Sequence, residues 1–366
     1  PKSAHCISSA ASDVYKRQAL VEQYHEPLAI RDIPEPAHDS DGVVVEVKAC
    51  GVCRSDWHGW QGEWPGFTGG SLPHIFGHEF VGLVSDIGNN VSRYRVGDRV
   101  IVPFTLGCGH CEYCRSGHSN VCPTVSMPGF SYDGGFAQYV TVPDADANLV
   151  KLPDAVDFTD AAGMGCRLMT AYHGIVEVGQ IHPGDWLVVY GAGGVGLSAT
   201  LVATSAGANV IAVDIADDKL ALARKVGAIA TINSRETDPV EAVRELTDGG
   251  ADKSVDALGI SETLHNAVNS LRSRGTHIQI GMTAEGPVGD VALTINDLIA
   301  KEIDFRGSFG MPAVEFRYLL NQVAASKMKP GQLVTKTIAL SEVNDALTAM
   351  STYNTVGTTV ITDFTR

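Results

Sequence analysis

A short apolar strand runs directly into a glycine-rich turn in the stretch Trp186-Leu187-Val188-Val189-Tyr190-Gly191-Ala192-Gly193-Gly194-Val195-Gly196. The turn has the pattern G-x-G-x-x-G, and the residues after it predict a helix. In such a turn Gly191 permits the tight bend, Gly193 lets the backbone approach a pyrophosphate, and Gly196 allows close contact between helix and strand. The N-terminus of the helix that follows attracts phosphate charge, and Gly194 is assigned with these glycines to the cofactor-binding turn. The pattern predicts a dinucleotide-binding turn; the alternative is a glycine-rich turn in another α/β protein.

Asp214 ends the next predicted strand, about twenty residues after the turn. A carboxylate at this position accepts hydrogen bonds from the ribose hydroxyls of the adenosine and repels a 2′-phosphate. The residues that follow, Ile215-Ala216-Asp217-Asp218, include no arginine that would hold such a phosphate. NAD is therefore favoured over NADP. The alternative role for Asp214 is that of a strand-end or helix-capping residue.

The predicted elements change in character along the chain. Residues 19–155 contain short β-branched or alternating runs punctuated by Gly, Pro and Asp, which predicts a β-rich domain. Residues 156–304 alternate strands with helices, which predicts parallel βαβ units. Residues 305–366 return to mixed structure. We predict an α/β protein in which a doubly wound Rossmann domain interrupts a discontinuous β-rich domain.

Residues 1–18 do not resemble the rest of the chain. The run Ser8-Ser9-Ala10-Ala11-Ser12 is small and polar, and no apolar segment suggests a signal peptide. We expect this leader to be disordered and foreign to the protein, and we expect the first strand to begin at Ala19.

Composition excludes several classes of protein. The chain has 366 residues and a formal net charge of −15, which argues against a nucleic-acid partner because such a partner needs a basic face. No apolar run approaches the length of a membrane span. The chain has 8 cysteines, spaced as metal ligands rather than as a disulfide framework. A reducing, cytoplasmic location is expected.

Four of these cysteines lie in one short loop with the spacing C-x2-C-x2-C-x7-C: Cys108, Cys111, Cys114 and Cys122. Four thiolates this close repel one another unless a cation holds them, and zinc in a closed tetrahedral site is the usual cation. An iron–sulfur cluster is the main alternative, because Pro123 follows the last cysteine. The ferredoxin pattern, however, has three residues in the last gap rather than seven. We predict a structural zinc that folds this lobe.

Two further motifs complete a family pattern: Cys53-Arg54-Ser55-Asp56-Trp57-His58 and Gly77-His78-Glu79. Together with the four-cysteine loop and the glycine turn, they resemble the zinc-dependent alcohol dehydrogenases of the medium-chain dehydrogenase/reductase superfamily. The resemblance extends from Ala19 to about Asp363 and implies a GroES-like β-rich catalytic domain beside the Rossmann domain.

The resemblance implies a second, catalytic zinc held by Cys53, His78 and Cys166, with one position open for substrate. Glu79 is then expected behind the metal as an occasional ligand, and Asp56 as the carboxylate that orients His78. Ordinary salt bridges are the alternative roles for these two acids.

Other roles also follow from the resemblance. Ser55 and His58 are expected to relay the proton of the alcohol to solvent; the alternative for His58 is a surface loop histidine. Arg54 matches the family's pyrophosphate-binding residue, with a solvated charge as the alternative. Thr170, Val195 and Lys219 match family positions near the nicotinamide or the adenosine ribose, with packing or surface roles as the alternative. Trp64 and Phe104 match positions that line the substrate pocket, with core packing as the alternative.

One departure concerns the last strand, where the family often has Gly-Arg and this chain has Gly357-Thr358. The loss of that phosphate contact is expected to weaken NAD binding without changing the reaction.

The implied function is reversible oxidation of an alcohol to an aldehyde or ketone, with NAD as hydride acceptor and two zinc ions per chain. A polyol, threonine or other specialised dehydrogenase on the same scaffold is the alternative, and a catalytically dead binding protein is a further one. Trp64 suggests a pocket for small or medium primary alcohols. A homodimer or homotetramer is expected from family habit.

Overall fold

The computed structural model describes residues 15–63, 72–283, 289–353 and 355–366, and its strands form two large sheets and one small ribbon. The ribbon pairs β1 (Tyr15–Leu20) with β2 (Ala29–Pro34) in antiparallel register. The first large sheet has seven strands: β3 (Val43–Val52), β4 (Glu79–Ile87), β5 (Arg99–Ile101), β6 (Tyr139–Val142), β7 (Val150–Lys151), β14 (Val334–Ala339) and β15 (Thr358–Asp363). Its order is β14-β15-β3-β4-β5-β7, with β6 paired to β3.

The second large sheet has six strands, all parallel: β8 (Trp186–Tyr190), β9 (Asn209–Asp214), β10 (Ala230–Asn233), β11 (Ala251–Asp256), β12 (Leu271–Gln279) and β13 (Asp304–Gly307). Its order, β10-β9-β8-β11-β12-β13, is that of a doubly wound nucleotide-binding sheet. The ligand is expected where the order reverses, at the carboxyl end of β8. The fold class predicted from the sequence is confirmed.

Twelve α-helices connect these strands in the described part of the chain: α1 (Arg54–Trp60), α2 (Glu112–Arg115), α3 (Ala145–Asn148), α4 (Phe158–Ala162), α5 (Met169–Tyr172), α6 (Gly194–Ser205), α7 (Asp217–Lys225), α8 (Pro239–Leu246), α9 (Ser261–Asn269), α10 (Ile295–Ala300), α11 (Phe316–Ala324) and α12 (Val343–Ser351). Two π-helical segments, Met164–Leu168 and His173–Val178, flank α5. Among the described residues, no helix is both long and apolar enough to cross a membrane.

The largest cluster of buried apolar side chains joins the two large sheets through residues 158–178. Met164, Leu168 and Met169 from this segment pack in the same cluster as Val81 of β4 and Leu187 of β8. The helical segment therefore packs against both the β-rich half and the nucleotide-binding half.

The first strand begins at Tyr15, four residues before the predicted start at Ala19. The backbone nitrogen of Arg17 donates to Oε1 of Gln138 at 2.8 Å, and Gln18 is buried. The polar run Tyr15–Gln18 concealed this strand because a two-stranded ribbon buries little apolar surface. The rest of the predicted leader, residues 1–14, lies outside the described residues.

The sixth parallel strand also extends past a predicted boundary. β13 starts at Asp304 and pairs with β12 as far as Gly307, so the nucleotide-binding sheet continues three residues beyond the expected end at residue 304. We propose that the two domains otherwise divide where the two large sheets do.

Candidate metal centres and cofactor site

Asp56 connects two segments that are far apart in sequence. It lies in the first turn of α1, and its carboxylate is fully buried. Oδ2 accepts from the backbone nitrogen of Cys53 at 2.9 Å, and Oδ1 accepts from the backbone nitrogen of Gly77 at 3.0 Å and from Nδ1 of His78 at 2.8 Å. Three donors compensate the buried charge and fix the orientation of the His78 ring.

His78 is oriented as a metal ligand. With Nδ1 bound to Asp56, its other ring nitrogen, Nε2, is buried and has no hydrogen-bond partner among the described residues. A sulfur of Cys53, a sulfur of Cys166 and a carboxylate oxygen of Glu79 lie within 4.8 Å of one another and of His78. This buried set of two sulfurs and one imidazole nitrogen fits zinc, which is the cation that the sequence predicts here.

The local electrostatics favour a thiolate at Cys53. A hydrogen bond from Cys166 lowers the pKa of the Cys53 thiol well below its ordinary value against the effect of burial, and the Arg167 guanidinium lowers it further. The same pairing with Cys53 raises the pKa of Cys166. Because metals bind thiolates rather than thiols, the lowered pKa of Cys53 favours a cation at this sulfur.

Cys166 lies in the π-helical turn Met164–Leu168, every residue of which is buried. Such turns are rare and occur often at functional sites, because the extra residue changes the direction of neighbouring side chains. Here the turn places Cys166 beside Cys53 and His78, and the next residue, Arg167, against Glu79.

Glu79 and Arg167 form a buried ion pair behind the predicted zinc ligands. Oε1 of Glu79 accepts from the backbone nitrogen and from Nε of Arg167, at 3.2 and 2.9 Å, and Oε2 pairs with Nη2. Burial raises the pKa of Glu79 to about 7, against the lowering effect of Arg167. No motif in the sequence pointed to Arg167, since only the three-dimensional contact reveals its partner.

The four cysteines of the short loop also converge. Sulfurs of Cys108 and Cys114 are 4.0 Å apart, and those of Cys111 and Cys122 are 3.7 Å apart. A tetrahedral zinc with Zn–S bonds of about 2.3 Å places its sulfurs about 3.8 Å apart. The geometry therefore fits the structural zinc that the spacing predicts.

Two buried asparagines connect the four-cysteine loop to the rest of the molecule. Asn148 accepts from the backbone nitrogen of Gly107 at 2.9 Å and donates to its carbonyl at 3.0 Å. Nδ2 of Asn120 donates to the carbonyl of Phe309 at 2.7 Å. Phe309 lines a cavity that also contains His78 and Cys166 in its wall, so the loop supports one side of that cavity.

The glycine turn lies between β8 and α6, as predicted. A Cβ at Gly196 would stand 1.7 Å from the carbonyl oxygen of Gly191, so only glycine fits there. A Cβ at Gly193 would meet no atom within 4 Å, which leaves the side of the turn open to a ligand. Asp214 accepts from the backbone nitrogen of Ala192 at 2.7 Å and so binds the turn itself. Lys219 is half-buried on α7.

One open cavity of about 190 Å³ collects many of the predicted residues. The candidate zinc ligands His78 and Cys166 line one end of the cavity, and Thr170 and Val195 line the side next to the glycine turn. Oγ1 of Thr170 is buried without a hydrogen-bond partner among the described residues. The other predicted residues in its wall are Arg54, Ser55, His58 and Phe104. Trp64 lies outside the described residues.

The apolar part of the cavity wall comes from segments that no motif marked. Met127, Phe130 and Phe309 line it together with Phe104, whose ring meets Phe309 edge-on at 5.8 Å. Phe104, the local turn that holds Met127 and Phe130, and Phe309 are far apart in sequence, so only the fold brings them together.

The proposed proton relay lies along α1. Oγ of Ser55 is 3.9 Å from the sulfur of Cys53, and Nδ1 of His58 pairs with Oε2 of Glu63. Glu63 was not predicted, and it provides His58 with a carboxylate partner. Arg54 stacks on the rings of Trp57 and Tyr353, at 3.8 and 4.3 Å from their centres.

Two family models match more than half of the chain. Residues 39–154 match the alcohol dehydrogenase GroES-like domain, and residues 194–325 match the zinc-binding dehydrogenase family. The first match contains the four-cysteine loop with Cys53 and His78, and the second begins in the glycine turn.

Individual relatives agree with these matches. An alcohol dehydrogenase from Geobacillus stearothermophilus is 33% identical over 335 residues, covering 91% of this chain and 96% of that protein. A NAD-dependent alcohol dehydrogenase from Sulfurisphaera tokodaii is 33% identical over 344 residues, covering 92% of this chain and 96% of that protein. The crystal structure of benzyl alcohol dehydrogenase from Acinetobacter calcoaceticus is similar with a TM-score of 0.87 at 28% identity, covering 95% of this chain and 99% of that one.

Proposed function

Because the chain belongs to the zinc-dependent alcohol dehydrogenases of the medium-chain dehydrogenase/reductase superfamily, we propose that it transfers hydride from primary alcohols with an apolar substituent to NAD rather than NADP. The family predicted from the sequence motifs is confirmed, as is the activity class, reversible oxidation of an alcohol to an aldehyde or ketone. The observation that carries the proposal is that His78 and Cys166 line the same cavity as Thr170 and Val195.

Cys53, His78 and Cys166 would hold the catalytic zinc, and the turn Gly191–Gly196 would hold the dinucleotide. When bound, the zinc stabilises the alkoxide form of the alcohol and the nicotinamide accepts its hydride. The protein would supply orientation, since Asp56 fixes the ring of His78.

Ser55 and His58 would remove the proton of the alcohol. They are three residues apart on α1, so both lie on one side of the helix and both line the cavity. Ser55 Oγ, the nearer of the two to the sulfur of Cys53, would take the proton of the alcohol while it passes its own hydroxyl proton outward. His58, next to Glu63, holds a proton at the outer end, where it exchanges with solvent.

The preference for NAD is supported by Asp214. Its carboxylate stands at the end of β9, and the residue that follows, Ile215, is exposed and uncharged. A 2′-phosphate placed here would meet a negative charge without a nearby guanidinium from residues 215–218. The Sulfurisphaera relative is NAD-dependent by name, which agrees with this preference.

The preference for apolar alcohols is supported by the cavity wall. Phe104, Phe130, Phe309 and Met127 offer no charge to a second hydroxyl, so a polyol would lose hydrogen bonds to water on entering. The similar structure from Acinetobacter is, by name, a benzyl alcohol dehydrogenase, and a comparable apolar substituent would fit this wall.

A panel of alcohols tests both preferences at once. We would measure kcat/KM for ethanol, butanol, benzyl alcohol, glycerol and threonine with NAD and with NADP. The proposal expects benzyl alcohol and butanol with NAD to exceed glycerol and threonine by at least about 100-fold. A preference for a polyol or threonine would establish the alternative function, and equal rates with NADP would remove the role given to Asp214.

The chain is also proposed to form a homodimer or homotetramer and to lie in the cytoplasm, where its thiolates stay reduced. Strand β13 ends the six-stranded sheet, and nearby Phe305, Ile295 and Ile299 expose 40%, 59% and 68% of their surface. A second copy that paired along β13 would cover them. Light scattering that found a monomer at all concentrations would contradict the assembly.

A further inference from the structure

Arg167 is a buried cation that no assigned role yet explains. It follows the predicted ligand Cys166 in the π-helical turn, and only 5% of its surface is exposed. A buried guanidinium is costly unless every part of it is satisfied by a partner. Its known partner, Glu79, accounts for only part of it.

One edge of the Arg167 guanidinium is hydrogen-bonded and the other edge, which carries Nη1, is open. Nε and Nη2 both donate to the carboxylate of Glu79. No hydrogen bond engages Nη1 among the residues that the structure describes. A planar guanidinium can bind two anions at once, because its donors form a rigid fork with two separate edges.

The open side faces the glycine turn. A Cβ built on Gly194 would lie 2.3 Å from Cδ and 3.4 Å from Nη1 of Arg167. Gly194 is the first residue of α6, a helix of 12 residues whose N-terminus attracts phosphate. The absence of a side chain at Gly194 therefore lets the guanidinium reach the position where a pyrophosphate would bind.

The first residue of β15 gives a second reason to expect that Arg167 contacts a pyrophosphate. The resemblance implies an arginine there with a contact to the pyrophosphate, and this chain has Thr358 instead. Thr358 is buried, and its methyl group faces Gly163, on the N-terminal side of the turn that carries Arg167. One phosphate-binding cation is thus missing from β15, and another lies close by on the neighbouring segment.

We propose that Arg167 is a positioning residue that binds the cofactor pyrophosphate through Nη1 while it holds Glu79 through Nε and Nη2. One side chain would then connect the dinucleotide to the carboxylate behind the zinc. This inference rests on the proposed function, because it requires that the protein bind NAD. It also replaces the expectation that Thr358 simply weakens cofactor binding.

The test compares binding of NADH with binding of adenosine, which lacks the pyrophosphate. NADH affinity would be followed by its fluorescence on zinc-loaded wild type and Arg167→Gln, and adenosine by competition. Loss of one charge-assisted contact to phosphate should weaken NADH binding about 10- to 100-fold and leave adenosine binding unchanged. The salt dependence of NADH affinity should also decrease, since one fewer cation contacts the phosphates. Arg306→Gln, in β13, is the matched control and should bind both ligands as the wild type does.

A second pair of variants keeps the test informative if Arg167→Gln fails to fold because Glu79 is left buried and unpaired. Glu79→Gln keeps the cation, and Glu79→Gln with Arg167→Gln removes both charges. NADH should bind about 10- to 100-fold more weakly to the double variant than to Glu79→Gln.

The possible results distinguish the proposed Arg167 contact from a structural role and from a failure of the proposed function. Equal NADH affinity in this pair, or an equal loss for NADH and adenosine, would overturn the inference and assign Arg167 a purely structural role. If wild-type protein with two zinc ions bound no NADH at all, the proposed function itself would fail. Weaker NADH binding with normal zinc content and normal adenosine binding would establish the contact.

Discussion

Asp56 holds together two segments that carry predicted zinc ligands. Its single buried carboxylate receives donors from Cys53, Gly77 and His78, and so joins the start of α1 to the segment before β4. The sequence could predict the role of Asp56 towards His78 from the family pattern. It could not predict the two backbone contacts, because they depend on how two distant segments meet.

Asp56→Asn should therefore weaken the catalytic site without removing a ligand. The amide replaces one acceptor oxygen by a donor, so at least one of the three hydrogen bonds is lost, and changes of this kind typically cost about 10- to 100-fold in metal affinity or activity. We would measure the loss of zinc to a chelator together with kcat. Asp86→Asn, on an exposed carboxylate, is the control. Unchanged zinc affinity in Asp56→Asn would show that the ring of His78 is held by packing.

At the scale of elements, the four-cysteine loop is a lobe that its own metal folds. Its helix α2 has four residues and buries none of them, so the loop has little apolar support of its own. Cross-links through a cation replace the missing core, as in other small zinc modules. The spacing of the cysteines predicted this arrangement, whereas the contact from Asn120 to the cavity wall was invisible in the sequence.

Cys122→Ser should remove one zinc per chain and lower the midpoint of thermal unfolding by about 5–10 °C, because the lobe loses its cross-links. It should also raise KM for bulky alcohols, since Asn120 supports Phe309. Metal analysis and calorimetry would measure the first two effects. Cys50→Ala, which changes a buried cysteine outside both clusters, should keep two zinc ions. Two zinc ions in Cys122→Ser would mean that three cysteines suffice.

Strand β12 contains a titratable group that makes stability depend on pH. Burial lowers the pKa of His277 below its ordinary value, and the neutral ring accepts from Ser254 Oγ at Nδ1 and donates to Gln279 Oε1 from Nε2. The unfolded chain binds a proton at this histidine near pH 6.5, whereas the folded chain does so only at lower pH. The free energy of unfolding therefore falls as the pH drops below about 6.5.

His277→Asn removes this titration and keeps an acceptor for Ser254. The free energy of unfolding of the variant should fall less steeply than that of the wild type between pH 7 and pH 5.5, as measured by urea unfolding. His182→Gln, at an exposed histidine, should follow the wild type. Equal slopes for His277→Asn and the wild type would show that His277 titrates normally in the folded protein.

In the molecule as a whole, the candidate active site lies where the β-rich half meets the nucleotide-binding half. Its position explains which of its residues could be predicted from the sequence. Local patterns, such as the glycine turn after β8 and the spacing of the four cysteines, carry their own chemistry and were readable directly. The cavity wall was not, because Phe309 meets Phe104 and the turn Met127–Phe130 only once the whole chain has folded. Arg167 was missed for the same reason: its neighbours, Glu79 in β4 and Gly194 at the start of α6, are far apart in sequence. The polar first half of β1 escaped detection because a surface ribbon needs little apolar patterning.

Cys53, His78 and Cys166 are proposed to form the zinc site at which alcohols are oxidised with a nicotinamide cofactor. The most direct measurement counts zinc per chain and follows NADH formation from benzyl alcohol and NAD, in wild type and in Cys53→Ala. We expect the wild type to hold two zinc ions and to turn over. We expect Cys53→Ala to hold one zinc ion and to turn over at least about 1,000-fold more slowly. Turnover that survives the loss of this zinc would show that Cys53, His78 and Cys166 do not form the catalytic site.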